Sequence, residues 1–374
     1  MEQYDVIIVG GGLAGLTAAI HLAKVGHAVL VFEKEAYPHH KVCGEYVSNE
    51  VLPYLISLGV DLKDHGAISI DTLKFSTVKG IVLETKLPLG GTGISRYAFD
   101  NLLYKKAVSL GVDFVFKIVS EIRFQGAVFK MVTIDNETYT SRILIGAYGK
   151  RGALDKQLNR SFIQQKSSWL AVKSHYRLDS FPENEVGLHN FKGGYGGLSK
   201  TESGAINFCY LTSYKSFQLE KDIEKFNTRV VQKNPILEEF LTHAEPLFES
   251  PLTIAQVSFH AKSPVEQHVI MCGDTAGLIH PLCGNGMAMA IHSAKIASEC
   301  IDAFLSGNEI DRIKMEGAYV KKWNRTFKRR LWFGRQLQSV LLNPTWSSFA
   351  MALVVKQPWL LKQLIKNTHG KPIK

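Results

Sequence analysis

The chain has 374 residues, 45% of them hydrophobic, with 44 Lys and Arg against 34 Asp and Glu and a formal charge of +10. This length predicts two joined lobes, and the apolar and charged fractions are those of a soluble globular enzyme. Five scattered cysteines (Cys43, Cys209, Cys272, Cys283, Cys300), with no CxxC pair and no His/Cys metal spacing, exclude a disulfide framework and a zinc site.

No metal is therefore expected, and a reducing cytoplasm is the expected location. No apolar run reaches ~18 residues, so no spanning helix is expected. Asp5 and the lack of a basic leading segment argue against a signal peptide. The positive charge fits nucleic acid, an anionic cofactor or an anionic membrane surface, and its position has to decide.

The first 34 residues read as strand, glycine turn, helix, strand. Val6 to Val9 form a short buried strand, Leu16, Ala19, Ile20 and Ala23 have helical spacing, and AVLVFEK is the second strand. Gly10, Gly12 and Gly15 form G-x-G-x-x-G between the first strand and the helix. The first glycine permits a tight turn, the second lets a pyrophosphate approach the backbone, and the third lets helix and strand pack closely. The helix start at Leu13 and Ala14 offers N–H groups and partial positive charge to phosphates. Glu33, followed by Lys34, is placed to accept hydrogen bonds from an unphosphorylated adenosine ribose, as in FAD or NAD.

Residues 51–60 predict a short helix, and ISRYAFDNLLYKKAVSLG predicts an amphipathic one. VDFVFK, FKMVTID and ILIGAYG read as strands. From about 165 to 255, alternating strands with Gly-rich turns predict a second, sheet-based lobe. The late segment CGDTAGLIHPLCGNGM then returns to strand, Gly-rich loop and helix. Asp274, after Gly273, suits a bond to a flavin ribityl hydroxyl. Pro281 and the turn Gly284, Asn285, Gly286, Met287 bring backbone amides and a helix dipole toward the pyrimidine edge of a flavin. This segment favours FAD over NAD. The plain alternative is a strand–helix connection with Asp274 as a cap.

With these motifs the chain resembles the geranylgeranyl-reductase branch of the para-hydroxybenzoate hydroxylase superfamily of FAD-dependent oxidoreductases and monooxygenases, from the N-terminus to about residue 300. GGGLAGLTAA, YPHHKVCGEYVSNEVL, ISRYAFDNLL and GDTAGLIHPLCGNGM each resemble a motif of that group. The resemblance implies that the segment Lys41–Val42–Cys43–Gly44–Glu45 folds back over the flavin. Lys41 would then lie near its phosphates or ring, and Cys43 and Gly44 would stand against the isoalloxazine. Arg96 would reach the pyrophosphate, its alternative being a surface arginine at a helix start. Cys43, Glu45 and Tyr195 are candidates to line the substrate pocket or supply a proton, and a buried structural role for Cys43 is the alternative.

The departures from the family pattern are specific. Tyr148, in GAYGKRG, stands where the superfamily has an aspartate. GYGGLSK keeps Tyr195 and Lys200 but loses the Trp, Phe and Pro of the reductase cavity motif. The W-x-W-x-I-P signature of flavin halogenases, which share the fold, is absent. No second G-x-G-x-x-G occurs, which favours transient NAD(P)H contact or another electron donor. In YVKKWNRTFKRRLWFGRQLQ, Trp323, Phe327 and Leu331 form one stripe among basic residues. That pattern suits peripheral contact with an anionic membrane, or a helix packed on the enzyme with a solvated basic face. No motif supports nucleic-acid binding.

The expected fold is α/β. A Rossmann-like FAD-binding lobe is assembled from residues 1–75, 95–160 and 255–300, a β-rich substrate lobe from 76–94 and 161–254, and a helical C-terminal region from 301–374. The expected activity is reduction of isoprenoid or lipid C=C bonds in a hydrophobic small molecule. The alternative is NAD(P)H-dependent hydroxylation of an aromatic or lipid-like substrate.

Overall fold

The computed structural model describes residues 3–165, 167–279, 284–309, 311–342, 357 and 370–374, with side chains of the last long helix described as far as 336. The chain begins with β1 (Gln3–Val9), α1 (Leu13–Lys24), β2 (Val29–Phe32), β3 (Tyr46–Ser48), α2 (Leu52–Ser57), β4 (Ile68–Ser76) and β5 (Val82–Gly93). Next come α3 (Arg96–Ser109), β6 (Asp113–Val115), β7 (Val119–Gln125), β8 (Val128–Thr133), β9 (Thr138–Gly146) and α4 (Ala153–Gln157). Strands β10 (Trp169–Arg177), β11 (Glu185–Phe191), β12 (Gly194–Lys200) and β13 (Ile206–Ser213) lead into α5 (Tyr214–Phe217), α6 (Ile223–Arg229) and α7 (Pro235–His243). Short strands β14 (Glu245–Pro246), β15 (Leu252–Ala255), β16 (Val265–Glu266) and β17 (Val269–Met271) precede α8 (Gly286–Leu305) and α9 (Arg312–Leu342).

Val6, Ile7 and Ile8 are completely buried because β1 lies in the middle of a parallel sheet covered on both faces. Its neighbours run β17–β9–β1–β2–β6, all parallel. Antiparallel β7 and β8 attach through β9, and β16 through β17. β17 arrives some 120 residues after β9 and pairs with it in the first sheet.

The second sheet runs β14–β10–β13–β12–β11–β4–β5–β3, antiparallel except between β11 and β4. Alternation decides its faces. Leu170, Val172, Phe208 and Tyr210 pack with Phe226, Leu237 and Phe240 of α6 and α7, which leaves Ala171, Lys173, Cys209 and Leu211 to face the first lobe. β3 and β4 pair in this sheet, although the sequence boundaries placed residues 1–75 in the first lobe. The alternating ISIDTLKFS of β4 suits a sheet with two unlike faces better than an all-buried parallel one.

The C-terminal stripe turns inward. Trp323, Phe327 and Leu331 join Met315 and Tyr319 in the core of the first lobe, and the Tyr319 hydroxyl donates to Met271 O at 2.6 Å. Of the two readings of this stripe, the helix packed on the enzyme is the one observed: Lys321, Lys322, Arg325, Lys328 and Arg329 are exposed, while Arg330 turns inward to Glu50 at 3.1 Å. Among the described residues, no helix is long and apolar enough to cross a membrane.

Candidate active site

The three glycines of the first corner do different work. Gly10 has φ +108°, and a Cβ there would lie 2.4 Å from Ala147 O. At Gly15 a Cβ would lie 1.9 Å from Gly10 O, so helix and turn approach too closely for any side chain. Gly12 is different, because the nearest atom to its Cβ position is Arg96 Nη2 at 3.5 Å. It is the N-cap of α1 and supplies no side-chain cap, leaving the helix start open to a ligand. Glu33, at the end of β2, braces the corner by accepting from Gly11 N at 3.0 Å.

The second corner sits directly on the first. Gly273 follows β17 with φ +61°, and a Cβ there would be 3.0 Å from the Ala14 Cβ. Its N–H donates to Ser293 Oγ at 2.8 Å. α8 starts at Gly286, and its N-cap Asn285 makes no side-chain cap bond. Two uncapped helix N-termini, α1 and α8, therefore open onto one cavity of about 1130 Å³. Gly10, Gly12, Leu13, Ala14, Glu33, Lys34, Lys41, Cys43, Gly44, Glu45, Arg96 and Tyr195 all line it, as do Gly273, Asp274, Gly284, Asn285, Gly286 and Met287. Gly15 lies beneath the corner rather than on the wall. Pro281 lies outside the described residues.

The segment from Lys41 to Glu45 crosses this cavity because the second sheet holds its carbonyls. Lys173 Nζ donates to Lys41 O at 3.1 Å, Asn207 Nδ2 to Cys43 O at 3.2 Å, and Ser199 Oγ to Gly44 O at 3.4 Å. Glu45 has φ +53°, unusual for a residue with a side chain, and its carboxylate is fully buried. Oε1 accepts from Lys173 Nζ at 2.5 Å and Arg96 N at 2.7 Å, and Oε2 meets His175 Nε2 at 2.7 Å. Burial opposes the Glu45 charge, but the His175 bond and the Lys173 ammonium hold its carboxyl below the usual range. It is an ionised acceptor with both oxygens engaged.

A second charged group flanks the phosphate-sized end. Asp100, itself buried, takes a two-pronged bond from Arg96, Nε and Nη2 each at 2.7 Å, and Lys41 Nζ stands 3.1 Å away. Burial opposes the Asp100 charge, and Arg96 and Lys41 hold its carboxyl low despite that. Asp100 thereby aims Arg96 at Gly12. Cys43 and Cys209 are both partly exposed on the cavity wall, and removal from water pushes the Cys209 thiol up to about 12. Tyr148 donates to Asp155 Oδ1 at 3.1 Å, so the residue replacing the family aspartate is tied to an acid of α4.

Sequence reasoning missed Lys173, His175, Asn207 and Asp100. The signal for Lys173 was present, since a lysine inside WLAVKSHYR has to find a partner if that strand is buried. Asp100 stands at i+4 from Arg96 on a helix. His40, Glu45 and His175 bring potential metal-ligand atoms within 4.8 Å of one another. With both Glu45 oxygens already bonded and the Lys173 ammonium adjacent, Glu45 and His175 form a hydrogen-bonded brace, and His40 packs its ring against His175 without bonding to it.

Beyond the cofactor-sized end, the cavity continues along the second sheet. Its wall takes Ala171 from β10, Leu211 from β13, Tyr195 from β12, Leu188 from β11, Phe75 from β4 and Leu87 from β5. These are six neighbouring strands, which at ~4.8 Å spacing span about 24 Å.

A family model described as FAD binding domain matches residues 3–313. Digeranylgeranylglycerophospholipid reductase of Methanosarcina mazei is 25% identical over 348 residues, covering 87% of this chain and 81% of that protein. Tryptophan 2-halogenase of Chondromyces crocatus is 24% identical over 352 residues, covering 87% of this chain and 66% of that protein. Among solved structures, a flavoprotein/dehydrogenase from Cytophaga hutchinsonii superposes with a TM-score of 0.78 at 20% identity, over 92% of this chain and 87% of that one.

Proposed function

Because this chain belongs to the FAD binding domain family and is an FAD-dependent oxidoreductase, we propose that it reduces C=C bonds in an isoprenoid or other long lipid chain. The observation that carries this reading is the apolar wall crossing six strands. A compact aromatic ring would occupy a fraction of a wall about 24 Å wide, whereas an extended hydrocarbon chain would bury its length there. Resemblance to a reductase whose name specifies digeranylgeranylglycerophospholipid supports it.

In this reading the first corner, with Gly10, Gly12, Leu13, Ala14 and Glu33, holds the adenosine and pyrophosphate portion of FAD, with Lys34 at its edge. Arg96 and Lys41 neutralise phosphate charge, their orientation set by Asp100. Gly273, Asp274 and the turn from Gly284 to Met287 hold the ring portion. Bound FAD supplies two-electron transfer to the substrate.

The protein's own contribution is to orient the chain, exclude water and deliver a proton. Cys43 and Tyr195 both line the cavity where the two lobes meet, and we assign proton delivery to this pair of positions. Glu45 is assigned to positioning, because an ionised carboxylate with both oxygens bonded has no proton to give.

The second reading is NAD(P)H-dependent hydroxylation of an aromatic or lipid-like substrate, and resemblance to a protein named tryptophan 2-halogenase supports an aromatic substrate. Anaerobic turnover separates the two. Dithionite-reduced protein should saturate a prenyl lipid without oxygen. Product only when oxygen is consumed with NAD(P)H would replace the reductase reading with the hydroxylase.

A further inference from the structure

A second hollow, of about 370 Å³, lies between α8 and α9 and shares no wall residue with the cofactor cavity. Its size is within the roughly 300–1,000 Å³ of small-ligand sites. α8 contributes His292, Lys295 and Glu299, α9 contributes Lys322 and Arg325, and Lys374 closes one side. Lys295 is paired with Glu299. Among the described residues, Lys322, Arg325 and Lys374 have no ion-pair partner.

Like charges gathered around a hollow repel one another unless an anion sits between them. We propose that the groove between α8 and α9 binds a phosphate-bearing ligand, with Lys322, Arg325 and Lys374 matching its charge. Arginine suits a phosphate through its planar fork and lysine as a point charge. The phosphate could be carried by an anionic lipid headgroup or by a soluble phosphate ester, since both present the same oxygens. The site is independent of the reductase reading.

The test uses full-length, FAD-loaded protein, so that the first glycine corner is already occupied. Titration calorimetry with inorganic pyrophosphate should show binding. The K322E/R325E variant should bind at least about tenfold more weakly with flavin content unchanged. If charge reversal costs flavin, K322Q/R325Q is judged by the same criterion. Absent binding, or equal affinity in the variant, would overturn the proposal. Sedimentation with phosphatidylcholine vesicles containing phosphatidylglycerol identifies the source. Binding that pyrophosphate competes away assigns a lipid headgroup, and pyrophosphate binding without vesicle binding assigns a soluble phosphate ester.

Discussion

The Glu45 carboxylate and the Lys173 ammonium meet at 2.5 Å with neither side chain reaching solvent. One belongs to the segment that crosses the cofactor cavity and the other to the second sheet, so this pair fastens the two lobes at the point where the chemistry is proposed.

Breaking that pair should cost more than removing it. Glu45→Gln leaves the Lys173 charge buried and uncompensated, with an expected loss of about 3–5 kcal/mol and weaker flavin retention. Adding Lys173→Met should recover a good part of the stability. Denaturant unfolding of the two variants checks this, and a double variant no more stable than the single one would remove the pair from its fastening role.

The first-corner glycines should fail in different ways. Gly12→Val points into the cavity, where only the end of Arg96 is near, so the protein should fold and lose FAD. Gly15→Ala collides with a backbone oxygen and should lower stability first. Visible flavin absorbance and thermal unfolding separate the two; unchanged flavin content in Gly12→Val would detach the corner from the cofactor.

Acid sensitivity should have two windows. Burial, helped by Lys74, pushes His189 down to about 4, so the unfolded chain binds the extra proton between roughly pH 6.5 and 4. Stability should therefore fall as pH drops through that range, by on the order of 3 kcal/mol from this residue. His189→Gln should flatten this slope. Asp100 and Glu45, whose carboxyls are held low, keep their contribution above the ordinary carboxylate range. They lose it only as pH falls below about 4 toward their folded values. Equal slopes for wild type and His189→Gln would contradict the assignment.

Leu188→Trp should narrow the apolar wall at its middle strand. Turnover of a long prenyl lipid should fall by about tenfold or more in kcat/KM, about 1.4 kcal/mol, while a short analogue is little affected. Equal losses on both would argue against an extended substrate along the sheet.

Much of the first lobe was legible because local chemistry dictates it. A buried strand, a turn needing φ > 0, a helix start and a terminal acid each leave a residue-level mark at Val6–Val9, Gly10, Leu13 and Glu33. The second corner was equally readable at Gly273 and Gly284–Met287. The join was not, because Lys173, Asn207 and Ser199 reach residues 130 or more positions away, and no local pattern records such a distance. The stripe at Trp323, Phe327 and Leu331 shows the same limit. An amphipathic helix announces an apolar face but not what covers it, and here the covering surface is the first lobe itself.

The proposed chemistry needs a single FAD reaching from Gly12 to the turn at Gly284–Met287, and a crystal structure of the yellow holoprotein tests this most directly. Pyrophosphate should lie against the start of α1 beside Arg96, and the flavin's pyrimidine edge against the start of α8. Flavin electron density that leaves the α8 corner untouched, or FMN in place of FAD, would contradict it.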